Sequence, residues 1–194
     1  FGNAESSPQN ESTPFNPRTV YGISKLAGFH LSKAFRENKE IHSCAGILYN
    51  HESPRRGKEY VTQKIISQAV AIHRGQAKEI RLGNLDAQRD WGHAKDYVRM
   101  QWMMLQQDKA DDYVIATGKQ YSVREFIQWT ASELGICIRF ENEGQKEVGI
   151  VESYDKDIST SLKEGDIIIR VDPAYFRPSE VETLLGDPSK AEKK

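Results

Sequence analysis

The sequence predicts an α/β fold in which helices alternate with short strands. Three observations carry that expectation. Apolar residues recur at helical spacing over 21–37 and again over 61–73. Between them lies a short apolar run, Ile41 to Tyr49, whose Ala45-Gly-Ile-Leu48 suits a buried parallel strand. Strand-like and helix-like runs then keep alternating toward the C-terminus.

Taken in order, residues 1–17 are rich in Ser, Pro, Asn and Glu and read as an irregular loop. Ile23, Leu26, Ala27, Phe29, Leu31 and Phe35 give the first helix one broad buried side. After the strand at 41–49 comes a polar loop, Asn50 to Gly57. Val61, Ile65, Ile66, Ala69, Val70 and Ile72 then mark the second helix. Glu79-Ile-Arg-Leu82 is a brief strand, Gly83 to Gly92 a turn-rich loop, and Ala94 to Gln107 a helix carrying Tyr97, Val98, Trp102, Met103 and Leu105. Asp112 to Ala116 reads as a strand, and Ser122-Val-Arg-Glu125 has capping-box spacing before a helix to Leu134. Another strand starts at Cys137, the stretch 142–165 is polar and Gly-dotted, and Asp166-Ile-Ile-Ile-Arg170 is a strand. The tail from Arg177 is irregular or helical, and there are no internal repeats.

Lys+Arg 27 against Asp+Glu 28 leaves a net charge of -1, so no global field argues for a nucleic-acid or membrane partner. The basic pairs Arg55-Arg56 and Lys193-Lys194 are too short to change that. The longest apolar runs fall far short of a membrane span. Cys44 and Cys137 lie far apart in apolar strand-like contexts, which fits reduced core thiols in a cytoplasmic protein better than a disulfide or zinc site. No metal site is expected. The chain opens on Phe1 with no signal peptide, which points to a processed, cut or incompletely represented N-terminus.

The first candidate chemistry is Tyr21-Gly-Ile-Ser-Lys25, a phenol and an ammonium one helical turn apart. A lysine beside a tyrosine favours the phenolate, and such a tyrosine can take a proton from a sugar hydroxyl while a nicotinamide takes the hydride. The same five residues also fit a surface aromatic stacked on a lysine stem. The second candidate is Asn50-His-Glu-Ser-Pro-Arg-Arg-Gly57, which packs an amide, an imidazole and two guanidiniums beyond the carboxyl end of a strand, where α/β sheets bind ligands. A solvated loop charged for solubility is the alternative. Arg89, in Arg89-Asp-Trp-Gly92, can read a phosphate, or only pair with Asp90 or cap a helix.

Six blocks in one order decide among these. They are Thr13 to Lys25, Gly46 to Gly57, Arg81 to Gly92, Asp111 to Gly118, Ser122 to Phe126, and Tyr175-Phe-Arg-Pro-Ser-Glu-Val to Pro188. Together they resemble the GDP-mannose 4,6-dehydratase family, in the extended short-chain dehydrogenase/reductase group. Tyr-x-x-x-Lys marks only the superfamily, whereas the Asn-His-Glu-Ser-Pro-Arg-Arg-Gly loop and the Arg-Pro-x-Glu-Val tail are far more specific.

The resemblance implies the C-terminal portion of an NAD(P)-binding Rossmann-type enzyme with a smaller mixed α/β substrate lobe. Residues 1–78 would belong to the cofactor domain, and 79–194 mainly to the nucleotide-sugar lobe, with some elements returning. Tyr21 would be the acid/base at the mannose 4-hydroxyl, and Lys25 would hold the nicotinamide ribose and favour the tyrosinate. His51 and Arg56 match positions that bind NADP. Asn50, Thr62 and Lys64 would contact the GDP-sugar, Arg89 and Arg177 would clamp the diphosphate, and Glu180 would help recognise the nucleotide. The implied reaction is oxidation at C4, loss of water across C5–C6 and hydride return to C6, giving GDP-4-keto-6-deoxymannose, a precursor of GDP-fucose. A cytoplasmic homo-oligomer, dimer or tetramer, is implied for the full-length protein.

The sequence also departs from the family. It holds neither the Gly-rich dinucleotide turn nor the Thr-x-Glu pair whose glutamate deprotonates C5, and it stops before the closing Leu-Gly-Trp block. The expectation is the C-terminal half to two-thirds of a dehydratase, inactive by itself, with part of the packing surface of the 21–37 helix lost. Thr19-Val20 replaces a common Ser-Pro, and Tyr49 a common Phe. The rival readings are another nucleotide-sugar epimerase or reductase, and a catalytically dead remnant or nucleotide-sugar binding module.

Overall fold

The computed structural model describes residues 1–176, 181 and 183–194. Along the chain come α1 (Val20–Lys39), β1 (Gly46–Leu48), β2 (Asn50–Glu52), α2 (Val61–His73), β3 (Ile80–Leu82), β4 (Gln88–Arg89), β5 (Trp91–His93), α3 (Ala94–Met104), β6 (Tyr113–Ile115), β7 (Tyr121–Ser122), α4 (Val123–Ser132), β8 (Ile136–Glu141), β9 (Val148–Tyr154), β10 (Ile167–Val171) and α5 (Ser189–Glu192). They form two compact units, and each unit is assembled from separate stretches. The first is Phe1–Ser53, Gln88–Tyr121 and Val181–Lys194; the second is Pro54–Ala87 and Ser122–Glu180. The chain passes between the units several times, at 53/54, 87/88, 121/122 and 180/181. Among the described residues no helix is long and apolar enough to cross a membrane.

In the first unit, β1 pairs with β6 and β2 with β5, both parallel. The core is Tyr49, Tyr97, Met104, Tyr113, Val114 and Ile115, with Ile47, Met100 and Leu184 packed on it. The 41–49 run is thus a parallel strand as expected, but it is only three residues long, and Leu48 at its end is exposed. The first three residues of the expected Asn50–Gly57 loop form β2 instead, because backbone pairing with β5 requires no apolar side chains.

Helix α1 corrects a larger expectation. None of its residues is buried, and Tyr21, Ile23, Leu31 and Phe35 are exposed. Only a narrow stripe at Gly22, Leu26, Phe29, Ser32 and Arg36 is half-buried. The expected broad buried side is thus reduced to that stripe, with Phe29 against Phe15. Polar ties fasten the C-terminal end. Arg36 grips Asp112 through both carboxylate oxygens at 2.8 and 2.7 Å and donates to the Ser43 carbonyl at 2.8 Å, while Ser32 meets Ser43 at 2.5 Å.

The second unit is a four-stranded sheet, in the order β3-β10-β9-β8, with α2 and α4 packed on it. β10 runs parallel to β3 and antiparallel to β9, and β8 is antiparallel to β9. Ile65 and Ile72 of α2, Ile127 and Ala131 of α4, and Ile80, Ile136, Ile138 and Ile169 of the sheet fill the interior. The apolar periodicity of α2 matches its observed bounds. At α4 the capping box is complete: Ser122 Oγ accepts from Glu125 N at 3.1 Å, and Glu125 accepts from Ser122 N at 2.7 Å. The 142–165 stretch, expected to be polar and irregular, holds the seven-residue β9 between β8 and β10. Its Val148-Gly-Ile-Val151 core is short and interrupted by a glycine, which hid it among polar neighbours.

Candidate functional site

In the first unit, Thr19 starts α1 by accepting the Gly22 amide on its hydroxyl at 3.0 Å. Two residues on, Tyr21 stands on the exposed side, 72% accessible, with the Lys25 ammonium 5.3 Å from its ring centroid. The helix therefore brings the expected acid/base pair together on an open face. The ammonium lies at cation–π distance from the ring.

Asn50 and His51 lie on β2, in register with Trp91 and Gly92 of β5. His51 Nδ1 is 3.0 Å from the Tyr49 carbonyl oxygen. A carbonyl only accepts, so this contact requires the proton on Nδ1, and in that tautomer Nε2 is an acceptor. The Tyr97 ring lies beside the imidazole, centroids 5.2 Å apart. Arg89, on β4, donates to the Gln88 carbonyl at 2.8 Å. Its neighbour Asp90 is fully buried and accepts from Thr117 N and Oγ1, Gly118 N and Gly186 N at 2.7–3.3 Å. That carboxylate is a backbone staple, which explains its burial without a ligand.

Burial pushes the Tyr49 hydroxyl well above the ordinary phenol range, and the Asp90 charge adds to the effect. The same two causes, in the same order, raise Tyr97. Both phenols are therefore held protonated and are unsuited to be the base, in contrast to the open position of Tyr21.

In the second unit, Arg56 stacks its guanidinium 3.7 Å from the Tyr60 ring centroid. Thr62 is buried on α2. Lys64 Nζ donates to the Arg81 carbonyl at 2.6 Å and sits 3.5 Å over the Tyr175 ring. The Tyr175 backbone crowds Gly83 so closely that a Cβ there would meet the Tyr175 carbonyl oxygen at 2.6 Å. Arg177 and Glu180 lie outside the described residues. Among the described residues no group of three or more His, Cys, Asp or Glu could hold a metal ion.

Residue-type reasoning passed over Gly92, Tyr97 and Tyr175, which lie against candidate residues or their neighbours. A glycine at a strand position was the available signal for Gly92, since it marks close approach of another group. Tyr97 read only as a core position of α3, and nothing in its spacing separates it from one.

A family model described as GDP-mannose 4,6 dehydratase matches residues 1–194. The GDP-mannose 4,6-dehydratase of Vibrio cholerae is 54% identical over 194 residues, covering 100% of this chain and 52% of the relative. GDP-mannose 4,6 dehydratase 2 of Caenorhabditis elegans is 47% identical over 193 residues, covering 100% of this chain and 48% of the relative. The chain thus spans about half the length of the curated relatives it matches. Among solved structures, RMD from Pseudomonas aeruginosa complexed with NADPH superposes with a TM-score of 0.72 at 18% identity, covering 96% of this chain and 52% of that one. The dTDP-glucose 4,6-dehydratase from Bacillus anthracis in complex with NAD gives 0.71 at 16% identity, covering 99% and 50%. The solved structures give the fold as Rossmann-type, and the family model's match along the full sequence places this chain in the GDP-mannose 4,6-dehydratase family.

Proposed function

We propose that this chain supplies the proton-transfer pair and part of the nucleotide-sugar lobe of a GDP-mannose 4,6-dehydratase, a hydro-lyase that turns GDP-mannose into GDP-4-keto-6-deoxymannose. The observation that carries the reading is the Tyr21–Lys25 pair, one turn apart on an open helix face, in a chain of this family. NADP, held by Lys25, His51 and Arg56, would supply a hydride acceptor that is regenerated within the same turnover. Tyr21 takes the proton of the mannose 4-hydroxyl, and Lys25 stabilises the resulting tyrosinate and holds the nicotinamide ribose. His51 suits the same dinucleotide: its fixed tautomer leaves Nε2 to accept from a hydroxyl. Arg56, stiffened against Tyr60, suits a phosphate. Asn50, Thr62, Lys64, Arg89, Arg177 and Glu180 are assigned to the GDP-sugar. Lys64 must exchange its Arg81 carbonyl for the ligand to do so. A cytoplasmic homo-oligomer, dimer or tetramer, belongs to the same reading.

The test is a chimera in which this chain is joined to the part of the Vibrio cholerae relative that it does not cover. GDP-mannose should yield a 4-keto product with no net use of NADPH. Tyr21→Phe should lower the rate by roughly 10²–10⁴-fold, the usual contribution of a positioned acid/base, with GDP binding retained. Unchanged turnover in Tyr21→Phe removes Tyr21 from the chemistry. A 4-epimer as product instead assigns the chain to the epimerases, and GDP binding without NADP binding makes it a binding module.

A further inference from the structure

The His51 imidazole has two restraints. Its Nδ1–H donates to the Tyr49 carbonyl at 3.0 Å, but a single hydrogen bond leaves the ring free to tilt about that contact. The second restraint is Tyr97 of α3, whose ring centroid lies 5.2 Å from that of His51 at an interplanar angle of 35°. Tyr97 is only 3% exposed, so its ring has little room to move. Gly92 makes the contact possible. It is the β5 residue in register with His51, and a Cβ there would meet Tyr97 Cε2 at 2.5 Å and the Tyr97 hydroxyl at 3.1 Å. The missing side chain at 92 is the seat of the phenol.

The Tyr97 hydroxyl has no hydrogen-bond partner among the described residues. Ring packing therefore holds it in place, and a buried unpaired hydroxyl adds nothing to that packing. We propose that Tyr97 is a positioning residue for His51: its ring, seated on Gly92, fixes the imidazole in the Nδ1–H tautomer so that Nε2 accepts from a ribose hydroxyl of the dinucleotide. The proposal rests on reading His51 as a cofactor-side residue, and it adds α3 and β5 to the elements that build that side. Tyr97 acts through His51 and touches no reacting atom.

The test is ¹⁵N NMR of the histidine-labelled chain near pH 8, about 1.5 units above the ordinary imidazole value. His51 should show one tautomer, Nδ1–H, in the unaltered chain and in Tyr97→Phe, which keeps the ring. Tyr97→Leu and Gly92→Ala should give mixed tautomers. A single Nδ1–H tautomer in Tyr97→Leu overturns the proposal. Should that variant fail to fold, nuclear Overhauser contacts between the Tyr97 ring and the His51 Cδ2 and Cε1 hydrogens in the unaltered chain decide, and their absence overturns it. His51→Ala in the chimera separates this proposal from the functional reading. NADP binding weakened roughly threefold to tenfold, the loss of one ordinary hydrogen bond, supports the cofactor role; unchanged binding overturns that role, whatever the tautomer.

Discussion

At the scale of single residues, two buried phenols set how the first unit responds to pH. Tyr49 donates its hydroxyl to Gln9 Oε1 at 2.6 Å, and Gln9 is itself buried, so this phenol meets its acceptor within the core. Tyr97 is buried, and its hydroxyl has no hydrogen-bond partner among the described residues. Burial, reinforced by Asp90, raises both phenols above their unfolded value of about 10. Between the unfolded and the folded value the native state binds more protons than the unfolded chain, so stability is fully present below about pH 10 and falls as pH rises above it. Urea denaturation at pH 9 and pH 11 should therefore show a clear drop in midpoint at the higher pH. An unchanged midpoint contradicts the protonated, buried state of both groups. This behaviour was not legible from the residue types, because Tyr49 and Tyr97 read simply as apolar positions of a strand and a helix.

At the scale of elements, α1 carries the proposed acid/base pair yet owes little to apolar burial. Its exposed Val20, Tyr21, Ile23 and Leu31 leave the Thr19 cap, the Phe29 contact with Phe15 and the Arg36–Asp112 pair to hold it. Asp112 also accepts the Ala45 amide at 3.0 Å, so one carboxylate fastens both the end of α1 and the entry to β1. Arg36→Met should cost about 3 kcal/mol, because it leaves a largely buried carboxylate without its cation. Equilibrium unfolding of Arg36→Met and of Arg36→Met with Asp112→Leu checks this: the double variant should recover much of the loss, and equal losses in both would assign the effect to packing alone.

The same elements show what the sequence could and could not reveal. The spacing of Val61 to Ile72 fixes a helix because its apolar face is buried within its own unit, and Ser122 with Glu125 marks a helix start by local hydrogen bonding alone. β2 is invisible to hydrophobic periodicity, since Asn50, His51 and Glu52 become a strand only through long-range pairing with β5. β9 is hidden by Gly149, which admits the Ile169 side chain so closely that a Cβ would meet it at 2.8 Å. The site divides in the same way. Tyr21 and Lys25 are local and legible, whereas the company of His51 depends on register across β2, β5 and α3.

At the scale of the whole molecule, the residues assigned to the proposed function are distributed over two units that alternate along the sequence. The first carries Tyr21, Lys25, Asn50, His51 and Arg89; the second carries Arg56, Thr62 and Lys64. The six sequence blocks were legible as a family because they run in one order along the entire chain, and the family match covers residues 1–194. In the proposed function Tyr21 and Lys25 serve an internal redox cycle, in which hydrogen removed at C4 of mannose returns at C6 of the same molecule. The most direct measurement supplies the chimera with GDP-mannose deuterated at C4 and locates the label in the product by NMR. The account predicts deuterium in the C6 methyl group. Label retained at C4, or lost to the NADPH pool or to solvent, would contradict it.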